Sequence, residues 1–475
     1  MSAAGRAAGR APDRDSGRDP GRAPRWYEDG ALHFGLGIED TFVPQGGPGE
    51  RPIDEYELTD HYARYSEDLG LASAAGATFM RWGVPWHRVN PERGVWDWSW
   101  VDRVVDRFGE LGLRPVIDLL HYGTPLWLDG QFSNPDYPQV VAEYGVAFAE
   151  RYGDRVTDYT PVNEPMIHAL FCGVYGYWPP YLTGDSGLTT MVRALGEGFV
   201  RTQRGIAEVL GDRATFMHVD ASMRYAGDVQ GEHRATAERL RHQAHLVEDL
   251  VTGRVDDQHP LAGVLLGHGM DDTSLAWFAD HAVRPDIVGV NYYPRISTEL
   301  FEEGVHHAGG FADPRPAQNA GVAGLVEVLL EAERRHGAPV MLTETAVTAP
   351  VADRVAWLHE SVAAIRTLRS LGHDIAGYTW WPVFDMYEWT YRHGTAPREE
   401  YLLTMGLWDL VEDGCGGLDR RRTPVADTFR TLATDVRANG AVGADGADGA
   451  DGPDDADDST GADSAAGAAE ETRVA

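Results

Sequence analysis

Eight short apolar segments alternate with eight longer segments of helical periodicity, and this alternation limits the folds that the chain can adopt. The predicted strands are 32–38, 78–82, 115–121, 156–164, 214–220, 286–293, 339–344 and 375–382. The predicted helices are 59–75, 100–111, 138–152, 191–210, 234–251, 272–279, 321–336 and 351–371. Strands that alternate with helices are typical of βα units around a parallel sheet. Eight such repeats predict an α/β fold, a single (β/α)8 TIM barrel with insertions.

The two ends of the chain differ in composition from the part between them. Residues 1–25 are rich in Arg, Gly, Ala and Pro, and residues 438–475 form an acidic Ala/Asp/Gly tail. Segments of this kind cannot bury enough apolar surface to offset the entropy of ordering. We therefore expect disordered ends at 1–25 and 438–475, and one barrel domain at 26–437.

The charge of the chain excludes several classes of function. It has 74 acidic against 41 basic residues, for a net charge of −33, and every basic residue is arginine. Without lysine the chain cannot form the Schiff base of a pyridoxal enzyme or complete a P-loop. The acidic excess repels phosphate groups, so we expect no nucleic-acid partner and no membrane partner. A neutral small molecule is the partner that this composition favours.

Cysteine content and hydropathy give further expectations. Cys172 and Cys415 are too few for a disulfide framework, and their spacing matches no metal or redox motif. No run of about 18 apolar residues is present, and the N-terminal segment lacks the apolar core of a secretory signal. We expect a cytoplasmic protein, and its oligomeric state stays open.

Polar and aromatic side chains occupy the ends of most predicted strands. In a (β/α)8 barrel the C-terminal ends of the strands meet on one face, which carries the active site. A buried apolar strand has no need of such residues, so their repeated position indicates a site on that face. They are Arg81, His121, Asn163 with Glu164, Asp220, Asn291 with Tyr293, Glu344, and Trp380 with Trp381.

Two of these strand ends carry glutamates that could act together. Glu164 lies in TPVNEP and Glu344 in MLTET. A glycosidase needs one protonated carboxyl to assist the leaving group and one ionised carboxylate to attack or to activate water. The alternative, which the residues themselves leave open, is that each glutamate caps the following helix or joins a surface ion pair.

Six motifs make a family resemblance specific. They are the stretch 60–94, which contains ATFMRWGVPWHRVNPERG, and then LLHYGTPLWL, TPVNEP, VGVNYYP, LTET and GYTWWPVFDMYEW. Together they extend over most of residues 32–428, and the sequence resembles glycoside hydrolase family 1, the retaining β-glycosidases. This resemblance implies a (β/α)8 glycoside hydrolase that needs no cofactor and no metal ion.

The resemblance also assigns roles to the two glutamates and to the residues around them. It implies that Glu164 is the general acid/base and Glu344 the nucleophile. Arg81 and Tyr293 match residues that contact the nucleophile, and we expect this cation and this phenol to favour the ionised form of Glu344.

The sugar-binding residues are likewise implied by the resemblance. Each of the following positions matches a residue that contacts or supports the sugar. Asn163 is expected to donate to the 2-hydroxyl, His121 to bind the 3-hydroxyl, Trp381 to lie under the ring, Glu388 with Trp389 to hold the 4- and 6-hydroxyls, and Asn291 to support the site.

The chain departs from the family pattern at two places. The first strand normally ends in a Gln that holds the 3- and 4-hydroxyls, but here the segment reads FGLGIEDTFVPQ, and Glu39 or Asp40 lies nearest to that place. The third-strand motif has Tyr122-Gly123-Thr124 where the family usually has Trp-Asp-Leu. These differences predict an altered preference for the sugar, whose identity stays open. The absent lysine disfavours 6-phosphoglycosides, since the branch of the family that hydrolyses them uses one.

Three hypotheses about function remain. The first is a retaining β-glycosidase that hydrolyses a neutral β-glycoside by double displacement. The second is a transglycosidase that delivers the sugar to an alcohol or a metabolite. The third, motivated by the altered first strand, is a sugar-binding barrel without catalysis.

Overall fold

A closed barrel of eight parallel strands forms the centre of the protein. The computed structural model describes residues 24–47, 49–305 and 316–444, with side chains described as far as 435. The strands are β1 (His33–Gly37), β2 (Phe79–Gly83), β3 (Arg114–Asp118), β4 (Asp158–Thr160), β5 (Thr215–Ala221), β6 (Ile287–Asn291), β7 (Val340–Glu344) and β8 (Ile375–Trp380). They follow one another around the barrel in chain order, and β8 pairs with β1 to close it. The predicted (β/α)8 fold is confirmed.

Helices surround the barrel, and their apolar faces pack on it. The helix Ser99–Leu111 shows the pattern: Val101, Val104, Val105 and Phe108 are buried at helical spacing, and Gly112 ends the helix with a φ of 60°. The longer helices are His61–Ala74, Ser99–Leu111, Tyr137–Tyr152, Gly184–Leu210, Arg234–Gln243, Asp272–Asp280, Gly321–His336, Val351–Ser370 and Pro424–Ala444. The shorter α-helices are Glu55–Leu58, Trp86–Val89, Pro165–Ala169, Leu246–Val251 and Ala262–Gly267.

Several helices differ from their predicted bounds. The predicted helix 234–251 is two helices, because the chain turns at Ala244 and His245 between Arg234–Gln243 and Leu246–Val251. The predicted helix 191–210 begins at Gly184. The helix Pro424–Ala444 was not predicted at all; it covers the seam between β8 and β1, where the Phe429 ring lies 5.6 Å from that of Phe34. It ends beyond the predicted domain boundary at 437, and residues 1–23 and 445–475 lie outside the described residues.

Shorter elements complete the described part of the chain. Antiparallel strand pairs are Phe42–Val43 with Ile53–Asp54, Met386–Tyr387 with Leu402–Leu403, and Trp408–Glu412 with Leu418–Arg422. Arg224–Gly227 pairs with Thr298–Phe301 in parallel. The 3-10 helices are Trp26–Glu28, Gln131–Ser133, Gly211–Arg213, Trp389–Arg392 and Arg398–Tyr401, and Leu170–Val174 forms a π-helix.

The interior of the barrel is apolar at the end where the strands begin. One cluster fills it there and is sealed by Tyr27 from the helix Trp26–Glu28. Its other members include Phe79, Val116, Met217, Ile287, Met341 and Ala376, which come from six different strands. The predicted site lies at the other end, where the strands finish. No helix in the described ranges has the length and hydropathy needed to cross a membrane.

Candidate active site

The C-terminal ends of the strands bring the predicted polar residues together in one buried group. The side chains in contact there come from β2, β6 and β7 and from the segments that follow β1, β3, β4, β6 and β8. All of them are buried except Tyr293, which is half-buried. They are Glu39, Arg81, His121, Asn163, Glu164, Asn291, Tyr293, Glu344 and Trp381.

Glu344 ends β7, and both of its carboxylate oxygens receive a donor. Nη1 of Arg81 lies 2.7 Å from Oε1, and the phenol of Tyr293 donates to Oε2 at 2.8 Å. Arg81 is fully buried, and its Nη2 also donates to Asp118 and to Asn163, at 2.7 Å in both cases. A single buried guanidinium therefore holds the carboxylate in place and links it to two other strands.

Glu164 follows β4 in a backbone conformation that few residues with side chains adopt. Its φ and ψ are 43° and 57°, in the left-handed region, and the helix Pro165–Ala169 starts directly after it. Its side chain makes no capping hydrogen bond to that helix. Instead Asn291 donates to Oε1 at 2.8 Å, and the phenol of Tyr122 donates to Oε2. The left-handed turn thus points the carboxyl into the barrel mouth.

The alternative roles that the sequence left open, a helix cap or a surface ion pair, do not apply to these two glutamates. Glu164 does not cap its helix, and both side chains are about 5% exposed, at 6% and 4%. Because both side chains are buried, neither can form a surface ion pair. Two buried carboxyl groups at the ends of β4 and β7 are instead directed to one place.

Burial disfavours the charged form of both carboxyls. It raises the pKa of Glu344 from 4.5 to about 8, since it outweighs the Arg81 cation, and the nearby Glu164 raises it further. Burial also raises the pKa of Glu164, against its hydrogen bonds from Tyr122 and Asn291. Arg81, which shares its charge with Asp118, favours the ionised form of Glu344 as expected, but burial opposes that form more strongly.

The two carboxyls resist losing both protons, because ionising both would place like charges together. Glu344 is bonded to the guanidinium of Arg81, whereas the donors to Glu164 are the neutral groups of Asn291 and Tyr122. Once the pair has lost one proton, this asymmetry favours the charge on Glu344 and the remaining proton on Glu164.

Asn163 and Asn291 have fixed amide orientations. Oδ1 of Asn163 accepts from Arg81, so its Nδ2 is turned to His121, at 3.1 Å from Nε2. Oδ1 of Asn291 accepts from Thr343 at 2.7 Å, which leaves its Nδ2 for Glu164. Each amide can then present one defined donor to the site.

His121 is surrounded by carboxylates. Its Nδ1 lies 2.7 Å from Oδ1 of Asp40 and 3.9 Å from Asp118, and its Nε2 lies 3.7 Å from Glu39. Burial lowers the pKa of His121, but these carboxylates outweigh it and raise that pKa well above 6.5. The pKa of Asp40 is itself raised to about 6, chiefly by burial.

Glu39 follows the first strand, and its carboxylate faces the indole of Trp381. Nε1 of Trp381 donates to its Oε2 at 2.8 Å, and the hydroxyl of Thr41 donates to its Oε1. The Trp381 ring stacks on His121 with 5.8 Å between centroids and 18° between planes. A Cβ on Gly37 would lie 2.0 Å from this indole, so only glycine lets the ring approach β1. Glu39 and Asp40 were the two candidates for the place where the family's first-strand Gln lies. Glu39 faces the indole of Trp381, and Asp40 faces the imidazole of His121.

Glu388 and Trp389 lie at the rim of the site. Glu388 is exposed and precedes the helix Trp389–Arg392. The ring of Trp389 packs edge-on against Tyr122, at 5.2 Å, and against Trp178, at 5.0 Å. Trp389 is thereby connected to the group that holds Glu164, while the predicted role of Glu388 toward the 4- and 6-hydroxyls stays a prediction.

Three site residues were not predicted from the sequence: Asp118, Asp40 in its contact with His121, and Tyr122 in its contact with Glu164. Asp118 lies inside the predicted strand 115–121, and a charged residue in an apolar strand was the signal that could have identified it. Asp40, Asp118 and His121 present three metal-ligand atoms within 4.8 Å of one another. Arg81 and the imidazole already neutralise these carboxylates, so the group is explained as an ion-pair network.

Comparisons with known proteins show what this chain is similar to. The profile of the family described as Glycosyl hydrolase family 1 matches residues 25–194. Thermostable beta-glucosidase B of Thermobispora bispora is 24% identical over 407 residues, which are 77% of this chain and 80% of that protein. A 1,4-beta-D-glucan glucohydrolase of Thermotoga neapolitana is 32% identical over 161 residues, 32% of this chain and 36% of that protein.

A solved structure shares the fold over almost its whole length. The Family 1 b-glucosidase from Thermotoga maritima superposes with a TM-score of 0.69 on 86% of this chain and 98% of its own, at 17% identity. The matching profile, the long alignment with a beta-glucosidase and the common barrel agree with the resemblance seen in the motifs. By its motifs, its alignments and its barrel, this chain is similar to the beta-glucosidases of glycosyl hydrolase family 1.

Proposed function

We propose that this protein is a retaining β-glycosidase that hydrolyses a neutral, non-phosphorylated β-glycoside by double displacement. The observation that carries the proposal is the unequal surroundings of two buried carboxyls. Glu344 is bonded to a cation and a phenol, and Glu164 only to neutral donors. Retaining hydrolysis of O-glycosyl bonds needs this division between a charged nucleophile and a protonated acid.

In the first step Glu344 attacks the anomeric carbon while Glu164 passes its proton to the departing oxygen. The carbon–oxygen bond to the aglycone breaks, its electron pair leaves with that oxygen, and a glycosyl ester forms on Glu344. The ester carries no charge, so the repulsion between the two carboxyls disappears. The first step leaves Glu164 as a carboxylate, which then removes a proton from water as the water oxygen attacks the anomeric carbon, and the bond to Glu344 breaks with release of its carboxylate.

The remaining side chains are suited to hold a sugar without net charge. Trp381 offers an apolar face, and Asn163 and His121 offer groups for hydroxyls on one side of it. Glu39 adds an acceptor close to both rings. The carboxylates of Glu39, Asp40 and Asp118 disfavour an anionic sugar at this place.

Covalent trapping tests the proposal. Dinitrophenyl 2-deoxy-2-fluoro-β-glycosides of gluco, galacto, fuco, manno and xylo configuration are incubated with the protein, and its intact mass is measured. We expect one sugar per chain, located by peptide mapping on Glu344. Glu344→Gln should show neither label nor turnover, and azide should restore activity to Glu164→Ala with dinitrophenyl glycosides, giving β-glycosyl azide.

The matched control is Glu110→Gln, a change on an exposed helix where Glu110 pairs with Arg107 at 2.8 Å. It should label and turn over as the wild type does. Labelling at another residue, or full activity of Glu344→Gln, contradicts the proposal. Binding of the sugars without turnover or label would instead favour the barrel without catalysis, and transfer to an added alcohol with little free sugar would favour the transglycosidase.

A further inference from the structure

We propose that Tyr122 is a positioning residue that orients the carboxyl of Glu164 through its phenol, and so sets the pH range over which Glu164 delivers its proton. This inference rests on the proposed function, in which Glu164 is the acid/base. It concerns a residue at which the chain departs from the family pattern, where tryptophan is usual.

The carboxyl of Glu164 is held by one donor on each oxygen. The phenol of Tyr122 donates to Oε2, and Asn291 donates to Oε1 at 2.8 Å. Tyr122 is 3% exposed, so solvent does not compete with its phenol. Two donors at opposite oxygens fix the plane of the carboxyl, and removing one leaves it free to rotate about its terminal bond.

Aromatic side chains hold the ring of Tyr122 in this position. Trp178 and Trp389 pack edge-on against it, both at 5.2 Å between centroids. His168, from the helix that follows Glu164, lies 4.6 Å away. The phenol therefore cannot turn away from Glu164 without displacing three other rings.

The backbone at Tyr122 is also constrained. Its φ is 74°, in the left-handed region that residues with side chains rarely adopt. The backbone N–H of Phe42 donates to the carbonyl of His121 at 3.4 Å, and a Cβ on Gly123 would lie 2.5 Å from the carbonyl oxygen of Phe42. Glycine at 123, where the family usually has Asp, thus lets the chain pass Phe42 and turn the phenol to Glu164.

The phenol bond is stronger to the carboxylate than to the neutral acid. When Glu164 gives its proton to the departing oxygen, Tyr122 keeps its own proton and its bond to Oε2 gains strength. The charge of Glu164 and burial raise the pKa of Tyr122 well above 10, so the phenol remains a donor at every pH at which the site works. The same bond lowers the pKa of Glu164 against the effect of burial.

Other titratable groups also face Glu164 or the Tyr122 ring, from each element packed around them. A change of Tyr122 alone leaves all of them in place, so a shift in the pH profile can be assigned to the phenol. They are Glu39 after β1, Arg81 in β2, His121 after β3, His168 in the helix Pro165–Ala169, Asp220 in β5, Tyr293 after β6 and Glu344 in β7.

The test is Tyr122→Phe, which removes one oxygen and keeps the ring. We measure the pH dependence of kcat/KM and kcat with an alkyl β-glycoside, whose leaving group needs a proton, and with the dinitrophenyl glycoside of the same sugar, whose leaving group does not. The alkaline limb for the alkyl glycoside should move up by about one pH unit, because Glu164 loses a donor to its charged form. Its kcat should fall about tenfold, while formation of the glycosyl ester from the dinitrophenyl glycoside changes little.

The matched control is Tyr152→Phe. This change removes another phenol–carboxylate bond, from Tyr152 to Asp102 at 2.7 Å on the outer helices, and should leave both profiles unchanged. An unshifted alkaline limb in Tyr122→Phe, or an equal loss with both leaving groups, overturns the positioning role while the wild-type activity stands. A wild type that hydrolyses no glycoside overturns the proposed function and this inference with it.

Discussion

Replacing the nucleophile by its neutral isostere, Glu344→Gln, is expected to stabilise the protein at alkaline pH while it abolishes turnover. Burial, which outweighs Arg81, raises the pKa of Glu344 from 4.5 to about 8 in the folded protein. A group whose pKa is raised on folding contributes stability below its unfolded pKa and loses that contribution as the pH rises through its folded pKa. The wild type should therefore lose stability between these two pKa values, whereas glutamine does not titrate.

The size of this change in stability follows from the shift in the pKa of Glu344. At 1.36 kcal/mol per unit, the full change from 4.5 to about 8 corresponds to about 5 kcal/mol, of which about 3.5 kcal/mol develops between pH 5 and pH 8. Glutamine gives up the charged bond to Arg81, at a cost of about 1–3 kcal/mol that varies little with pH. Because that cost varies little with pH, the free energy of unfolding of the variant, relative to the wild type, should rise by about 3.5 kcal/mol from pH 5 to pH 8.

Urea unfolding followed by tryptophan fluorescence, at constant ionic strength and at pH 5, 6, 7 and 8, measures this difference. Glu110→Gln, on the outer surface, should follow the wild type at every pH. A difference between Glu344→Gln and the wild type that stays constant over this range, or that turns against the variant as the pH rises, would refute the linkage to a buried, repelled carboxyl.

Three further substitutions have defined outcomes. Arg81→Met leaves buried carboxylates without their cation and should cost about 3–5 kcal/mol of unfolding free energy at pH 8, and less at pH 5 where they protonate, in the same urea titrations. Glu39→Gln removes one negative charge from the sugar site and should raise kcat/KM for a β-glucuronide relative to the β-glucoside by about tenfold; an unchanged ratio would show that Glu39 does not face the sugar. Gly123→Ala places a methyl group against the carbonyl of Phe42 and should lower stability by about 1–3 kcal/mol, read as the urea midpoint, together with kcat for alkyl glycosides.

The barrel was predictable because each strand carries its own signal. An apolar run that ends in a polar residue marks both the strand and its C-terminal end, as at β7 with Glu344. The helix Pro424–Ala444 lacked an equivalent signal, since it follows a long segment of short turns and strands rather than the end of β8 directly. The early end of β4 at Thr160 was also not predictable, because the left-handed turn at Glu164 depends on contacts with β5, where Glu164 N–H donates to Val219.

The site also contains residues that the sequence could place and contacts that it could not. Glu164, Glu344, Arg81 and Tyr293 could be placed from their motifs, because each lies at or next to the end of a strand and the barrel alone brings them together. The division between Glu39 and Asp40 could not, since it depends on where loops from two strands meet. The bond from Tyr122 to Glu164 likewise depends on the path that Phe42 and Gly123 impose on the chain.

The pairing of β1 with β8 has a consequence for how the chain reaches its native state. His33 is the partner of Gly377, so the barrel cannot close until nearly the whole domain has been synthesised. Until then the N-terminal strand has one edge without hydrogen-bond partners, and contacts of such long sequence separation form slowly. Folding on the ribosome should therefore proceed through an open, curved sheet, and the helix Pro424–Ala444, which packs over the seam, should be among the last elements to gain protection from hydrogen exchange.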